Sequence, residues 1–168
     1  MKSGDHTIQT FVVYPESSRK TPVVLVIHEN MGLTDWVRSL ADQLAEAGYI
    51  AVAGFCWGGG NSFRFATNRS DLKAAFVFYG TGPEAPDAIA RIKAPVYGFY
   101  GGNDARVNAT IAKSEELTKE AHKTYQPVIY EGAGHGFMRA GEDPAGTEPN
   151  RKARSDAWIR WKALLEKL

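Results

Sequence analysis

Short apolar runs alternate with longer amphipathic segments along most of the chain. Residues 23–27 are apolar at every position, which is typical of a strand buried on both faces of a sheet. Residues 8–14 alternate loosely and are rich in β-forming side chains, so they predict a further strand. The predicted strands are residues 8–14, 23–27, 49–53, 74–79, 96–100 and 127–130.

Helical spacing fills the intervals between these strands. Over residues 33–47 the apolar side chains fall on one face, and Gly48 can close the helix. The other predicted helices are residues 61–67, 83–92, 108–122 and 152–168, and residues 144–150 are predicted to be a loop. On the last helix, Trp158, Trp161, Leu165 and Leu168 share one side and are expected to face the core. Strands that alternate with helices predict an α/β fold, a mostly parallel sheet with helices on both faces.

Composition narrows the class of protein. The 168 residues suit a single domain spanning 1–168, and 43% hydrophobic with 23% charged residues is ordinary for a globular protein. The formal net charge of +1 gives no reason to expect a nucleic-acid partner. No apolar run is long enough to span a bilayer, and the first residues lack the apolar stretch of a signal peptide, so we expect a cytoplasmic protein without a membrane partner.

The single cysteine lies in the most informative segment, Gly-Phe-Cys-Trp-Gly-Gly-Gly at residues 54–60. A strand, Gly-x-Cys-x-Gly and a helix form the layout of a nucleophile elbow. Gly54 and Gly58 leave room for a strained turn, and the helix N-terminus beside Cys56 favours a thiolate. The alternative is a glycine-rich turn around a buried structural cysteine. One cysteine excludes an intramolecular disulfide, and no cluster of residues calls for a metal or an organic cofactor.

Two further polar residues follow predicted strands. Asp104 comes after the strand at 96–100 and His135 after the strand at 127–130, and the carboxyl ends of parallel strands share one edge. Cys56 would act as nucleophile, His135 as base and acid, and Asp104 as the group that orients the imidazole. Singly, Asp104 also suits a turn and His135 a loop. Their order, nucleophile then acid then histidine, is that of the α/β-hydrolases and favours a catalytic triad.

Four stretches carry a more specific resemblance: Val-Ile-His-Glu-Asn at residues 26–30, Gly-Phe-Cys-Trp-Gly-Gly at 54–59, Gly-Gly-Asn-Asp at 101–104, and Gly-His-Gly-Phe at 134–137. With these stretches the chain resembles the dienelactone hydrolase family of the α/β-hydrolase superfamily. The resemblance covers nearly the whole chain.

The resemblance implies roles for further residues. Glu29 resembles a buried glutamate that helps to generate the thiolate, and the backbone N–H groups of Asn30 and Trp57 would form the oxyanion hole. Arg139 matches an arginine that binds a substrate carboxylate, and His28 would support the loop beside the oxyanion hole. The alternatives are a solvated carboxylate for Glu29 and an ordinary surface arginine for Arg139.

The reaction that the resemblance implies is hydrolysis of a small lactone or carboxylic ester through a thioester, as in a carboxymethylenebutenolidase. A thiolate suits esters with stabilised leaving groups better than amides, so a peptidase is the weaker enzyme hypothesis.

The chain departs from the family pattern between Ala53 and Gly54, where relatives carry a loop, a helix and a second strand. In this chain a single strand then corresponds to two strands of the relatives. If the helix at 33–47 keeps its usual face and this strand takes the nucleophile position, the crossover becomes left-handed, which is rare. If the strand takes the other of the two positions in the sheet, Cys56 is misplaced. If the helix at 33–47 moves to the other face of the sheet, the apolar surface on the face that it leaves becomes exposed.

Each of these arrangements leaves core surface or a strand edge exposed, so we expect self-association through the sheet edge. Two rival hypotheses follow from the gap. In the first, the chain is a non-catalytic remnant or interaction module in which the active site is disassembled. In the second, the chain is an enzyme whose active site is completed by a second copy.

Overall fold

The computed structural model describes residues 2–3, 6–7, 10–12, 24–45 and 51–168. Most of the predicted strand at 8–14 lies outside these residues, and residues 10–12 have no regular structure. The end of the first predicted helix and the start of the strand at 49–53 also lie outside them. A two-residue ladder pairs β1 (Lys2–Ser3) with β2 (His6–Thr7) in antiparallel fashion.

A five-stranded parallel sheet forms the centre of the described structure. Its strands are β3 (Val24–Ile27), β4 (Ala51–Phe55), β5 (Ala75–Phe78), β6 (Val96–Gly101) and β7 (Tyr125–Tyr130). They pair in chain order, so each strand lies beside the next one in the sequence. The predicted α/β fold with a parallel sheet is confirmed.

Seven helices cover the two faces of the sheet in the described part of the chain. They are α1 (Asp35–Ala45), α2 (Trp57–Ala66), α3 (Pro86–Ala90), α4 (Ala105–Asn108), α5 (Ile111–Glu120), α6 (Phe137–Ala140) and α7 (Glu148–Leu165). On one face Phe63 of α2, Ile89 of α3 and Leu117 of α5 belong to one buried cluster. On the other face α1, α6 and α7 contribute to a second cluster that includes Leu40 and Trp161.

Several helix boundaries differ from the sequence prediction. α2 begins at Trp57, directly after the cysteine, and not at residue 61. The predicted helix 108–122 corresponds to α5, which begins only at Ile111, and the short helix α4 precedes it. α7 begins at Glu148, so the loop prediction was wrong for residues 148–150. Pro149 lies in the first turn, where its missing N–H costs nothing, and Glu148 there complements the helix dipole.

Stacked aromatic rings connect the sheet to the last helix. Phe78 of β5 stacks on Phe55 of β4 and on Phe99 of β6, with ring centroids 4.6 and 4.2 Å apart. Trp161 packs against Phe78 at 4.7 Å and is fully buried. Trp158 stacks on Trp161 at 5.1 Å. The predicted inward side of the last helix is therefore the side that faces the core.

The crossover from β3 through α1 to β4 has an unusual hand. α1 lies on the opposite face of the sheet from α2, α3 and α5, yet all four crossovers advance in the same direction across the strands. The α1 crossover must therefore have the opposite hand to the other three. Since about 98% of such crossovers are right-handed, the α1 crossover is the left-handed one. This is the first of the three arrangements considered above.

The two edges of the sheet differ in how they are protected. At β7, the carbonyls of residues 124 and 130 accept hydrogen bonds from residues of the β6 side. In a parallel strand alternate residues face opposite neighbours, so Pro127 faces away from β6. It has no N–H to donate to a further strand at this edge. β3 carries only apolar residues, Val-Leu-Val-Ile, and within the described residues it pairs with β4 alone. Leu25 leaves 47% of its surface exposed. β3 therefore has the composition of an interior strand at an edge position.

We predict that this edge drives self-association. The mass in solution is expected to rise with protein concentration above the 18.4 kDa of one chain, because an apolar edge strand pairs readily with another. Leu25→Lys should keep the protein at one chain, since an edge lysine opposes pairing. The measurement is sedimentation velocity over a wide concentration range. Ile159→Lys, at an exposed position of α7, is the matched control and should behave as the parent. A parent that stays at one chain throughout contradicts the prediction.

Candidate active site

Cys56 occupies a strained turn between β4 and α2. Its φ of 56° and ψ of −116° are sparsely populated for a residue with a side chain. Its N–H donates to the carbonyl of Phe78 at 3.0 Å, and the N–H of Gly60 donates to its carbonyl at 3.2 Å. The backbone is thus fixed on both sides of Cys56, and the partly buried thiol lies at the N-terminus of α2.

The glycines of the elbow are required by close backbone contacts. A Cβ atom on Gly54 would lie 1.9 Å from the carbonyl oxygen of Gly58. A Cβ atom on Gly58 would lie 2.3 Å from the carbonyl oxygen of Ile27, and one on Gly59 would lie 2.5 Å from that of Phe78. These neighbours are backbone atoms of α2, β3 and β5 and cannot rotate away. The helix N-terminus can approach the sheet this closely only without side chains.

His135 and Asp104 are brought together across two neighbouring strand ends. Nδ1 of His135 lies 2.5 Å from Oδ2 of Asp104, whose other oxygen accepts from the N–H of Val107 at 3.4 Å and caps α4. Asp104 is buried and His135 is about one-third exposed. Because an ionised carboxylate only accepts, Nδ1 carries the proton and Nε2 is free to take one.

The loops that carry these two residues are tied to each other. Asn103 donates its backbone N–H to Ala133 at 2.9 Å and its side-chain amide to Gly132 at 3.0 Å. The side chain of Asn150 accepts from the N–H of Gly134 at 2.9 Å. Asn150 lies in the region that the sequence predicted as loop, and its role was missed because only the start of α7 at Glu148 positions it.

Glu29 follows β3 and is buried beside the same sheet edge. It is 6% exposed, its Oε1 accepts from the hydroxyl of Tyr79 at 3.4 Å, and its Oε2 accepts from Nε of Arg139 at 3.4 Å. The alternative of a solvated loop carboxylate does not describe this residue. Arg139 leaves about half of its side chain exposed, so the ion pair is accessible from solvent on one side.

Tyr79 is the residue of this site that sequence reasoning missed. It follows β5 with a φ of 41°, is fully buried, and lies edge-on to the imidazole of His135 with centroids 5.1 Å apart. Burial, and then the negative charge of Glu29, raise the pKa of Tyr79 well above its ordinary value. The hydroxyl therefore stays protonated and donates to Glu29. The available signal was its position at a strand end followed by glycine.

The loop after β3 and the first turn of α2 form a second side of the site. Trp57 is the first residue of α2, so its N–H has no acceptor inside the helix. Asn30 lies in a turn closed by the N–H of Gly32 donating to Glu29 at 3.1 Å. His28 donates from Nδ1 to the same carbonyl at 2.6 Å and stacks on Trp57 at 6.2 Å. His28 thus joins this loop to the helix, as its predicted supporting role requires.

Two hollows lie away from Cys56 in the described part of the chain, one of about 570 Å³ between α1 and α7, the other of about 400 Å³ beside Tyr97 and His122. In the same part of the chain, no three His, Cys, Asp or Glu side chains are grouped as a metal site requires. No described helix is long and apolar enough to cross a membrane.

A parallel sheet with a strained nucleophile turn after one strand, and a histidine–carboxylate pair after two others, defines an α/β-hydrolase. The sequence model of the dienelactone hydrolase family matches residues 8–53 and 50–168. The chain therefore belongs to the dienelactone hydrolase family.

Two relatives share the name "Putative carboxymethylenebutenolidase". The protein of Saccharolobus solfataricus is 35% identical over 119 residues, which cover 71% of this chain and 44% of the relative. That of Methylorubrum extorquens is 34% identical over 126 residues, which cover 69% of this chain and 42% of the relative. The chain spans less than half the length of these relatives.

Solved structures show the same fold. A "Putative Dienelactone Hydrolase" of Klebsiella pneumoniae superposes with a TM-score of 0.80 at 22% identity, covering 92% of this chain and 91% of that one. A dienelactone-hydrolase-like promiscuous phosphotriesterase from metagenomic libraries gives a TM-score of 0.77 at 19% identity, covering 89% and 88%.

The close contacts at the elbow generate a stability prediction. Gly58→Ala should lower the free energy of unfolding by about 2 kcal/mol or more, because the added methyl group meets two backbone carbonyls. Gly134→Ala is the matched control, since its Cβ would meet nothing closer than 3.9 Å, and its effect should stay near 0.5 kcal/mol or less. Urea unfolding followed by circular dichroism measures both. Equal stability of the two variants would show that the turn is not under steric constraint.

Proposed function

We propose that the protein hydrolyses small lactones or carboxylic esters with Cys56 as nucleophile. The observation that supports this best is the hydrogen-bonded pair of His135 and Asp104 at the sheet edge where Cys56 lies on its strained turn. A histidine held by a buried carboxylate, at the same sheet edge as a cysteine on a strained strand-to-helix turn, suits acyl transfer. The names of the curated relatives refer to an enzyme that acts on a butenolide, a cyclic ester.

The proposed reaction begins when the thiol of Cys56 gives its proton to Nε2 of His135, which leaves a thiolate and a protonated imidazole. The sulfur adds to the ester carbonyl, and the backbone N–H groups of Trp57 and Asn30 hold the resulting oxyanion. When the intermediate collapses, the carbon–oxygen bond of the leaving group breaks and protonated His135 supplies a proton to that oxygen. A thioester remains on the enzyme. Nε2 of His135 then removes a proton from water as the water adds, and the acid departs while the sulfur leaves as thiolate.

Glu29 is proposed to assist the formation of the thiolate. Its carboxylate is buried and, within the described residues, accepts long hydrogen bonds from Tyr79 and Arg139. The negative charges of Glu29 and of Cys56 both contribute to the raised pKa of Tyr79, so both residues lie near this phenol.

Arg139 is proposed to bind a carboxylate of the substrate. Its guanidinium contacts Glu29 at 3.4 Å through Nε only, and about half of the side chain is exposed. The terminal nitrogens are thus available for a bidentate contact with a second carboxylate. A substrate that bears an anionic group would be drawn to this side of Cys56.

The rival hypothesis of a non-catalytic remnant rests on the gap. The family model matches the chain in two separate segments, and both segments include residues 50–53. The alignment with an Escherichia coli relative spans 213 positions and includes 86% of this chain. Since the chain has only 168 residues, many positions of the relative have no counterpart in it. These facts support the proposal that a strand–helix unit is missing before Gly54. The elements that carry Cys56, Asp104 and His135 all lie after this point, which favours the enzyme over the remnant.

The first experiment measures hydrolysis of p-nitrophenyl acetate by the parent protein. Cys56→Ser and His135→Ala should each reduce kcat/KM on the order of 10³-fold or more, because the triad acts as a unit. His122→Asn is the matched control and should be unchanged, since His122 is exposed at a positive φ that asparagine tolerates. Equal rates in the parent and both triad variants would support the remnant instead.

A second experiment tests the carboxylate site. Carboxymethylenebutenolide carries a free carboxylate that its methyl ester lacks. Arg139→Gln should lower kcat/KM for the acid by about ten- to a hundredfold and leave the methyl ester much less affected, because only the acid loses a charged hydrogen bond. Arg151→Gln, an exposed arginine at the start of α7, serves as control. An equal loss on both substrates would assign Arg139 a purely structural role.

A further inference from the structure

The indole of Trp57 is held in a fixed position at the rim of the candidate site. One side of the ring stacks on His28, with an interplanar angle of 22°. His28 is itself fixed by its hydrogen bond to the carbonyl of Glu29. At the other end of the residue, the side chain of Asn61 donates to the carbonyl of Trp57 at 2.9 Å. His28 thus supports one side of the ring, and Asn61 supports the backbone that carries it.

Much apolar surface is nevertheless left in water here. Trp57 is 58% exposed, and Met31, on the turn that carries Asn30, is 72% exposed. A large aromatic side chain that is both fixed and exposed next to a nucleophile is well suited to bind an apolar or planar group.

Strand order decides which part of an ester meets this ring. His28 follows β3, on one side of the strand that carries Cys56. Tyr79, Asp104 and His135 follow β5, β6 and β7, on the other side. The leaving group must lie near His135, which protonates it. The acyl group then lies on the opposite side of the sulfur, where Trp57 stacks on His28.

We propose that Trp57 is a platform for the acyl part of the substrate and selects planar, unsaturated acyl groups. This inference rests on the proposed ester hydrolysis and adds the class of acyl group. The backbone N–H of Trp57 serves the oxyanion hole, while its ring determines acyl selectivity. Substitution of the side chain leaves the N–H in place, so selectivity can be altered separately from the chemistry.

The kinetic test uses two esters with one leaving group, p-nitrophenyl benzoate and p-nitrophenyl cyclohexanecarboxylate. The acyl groups are similar in size, and only the first is planar. Trp57→Ala should lower the ratio of kcat/KM, benzoate over cyclohexanecarboxylate, by about two- to tenfold relative to the parent, the range expected for loss of aromatic stacking. Trp57→Phe should retain part of the preference. Ile159→Ala, at a similarly exposed position on α7, should leave the ratio unchanged.

A second pair of esters varies the leaving group. The ratio of kcat/KM for phenyl acetate over cyclohexyl acetate should be the same in the parent and in Trp57→Ala. An effect of Trp57→Ala in this series but not in the acyl series would overturn the proposal.

A binding measurement separates this inference from the proposed hydrolysis. The chain has four tryptophans, and the indole N–H signal of Trp57 in a ¹⁵N-labelled sample is identified by its loss in Trp57→Phe. Benzoate should shift this signal at lower concentration than cyclohexanecarboxylate does. An unmoved Trp57 signal, or no difference between the acids, overturns the inference even if the protein is active. A selective shift in a protein without Cys56-dependent turnover supports the platform while the proposed hydrolysis fails.

Discussion

The close backbone contact between the end of β4 and the first turn of α2 is the constraint on which the site depends. Gly54, Gly58 and Gly59 let three strand ends meet this turn with no side chain between them. The contact places Cys56 in a conformation that few residues with a Cβ adopt, and it directs the first N–H groups of α2 toward the open edge. Loosening this turn would move Cys56, the proposed nucleophile, together with the N–H of Trp57, proposed for the oxyanion hole, since the two residues are adjacent.

Two separate supports hold the groups around this turn. On one side, the loops after β6 and β7 are joined by Asn103 and fixed to α7 by Asn150, which sets the distance between Asp104 and His135. On the other side, His28 ties the loop after β3 to Trp57. Tyr79 lies between the two sides, donating to Glu29 and touching His135. The site is thus spread over four loops, and its geometry depends on an intact sheet beneath them.

The β3 side of the sheet differs from the rest of it. β4 lies beside β3 while α1 stays on the face of α7, so the α1 crossover has the rare hand. Among the described residues, β3 pairs with β4 alone and Leu25 is half-exposed. The β4 to β7 portion, with its stacked aromatic rings and α7, has no such defect in the described residues. The loop after β3 also carries His28 and Glu29, so this edge and the candidate site are connected.

The local pattern of the sequence determined the strands, the face of α7 that packs inward and the turn around Cys56, because each depends on neighbours within a few residues. Strand order also brought Asp104 and His135 to one edge, since parallel strands end together. Other features required the tertiary structure. The start of α7 at Glu148, the bridging role of Asn150, the buried hydroxyl of Tyr79 beside Glu29 and the exposed ring of Trp57 depend on contacts between residues far apart in the chain. Such contacts leave no periodic signal, because the partner is chosen by packing in space and not by spacing along the sequence.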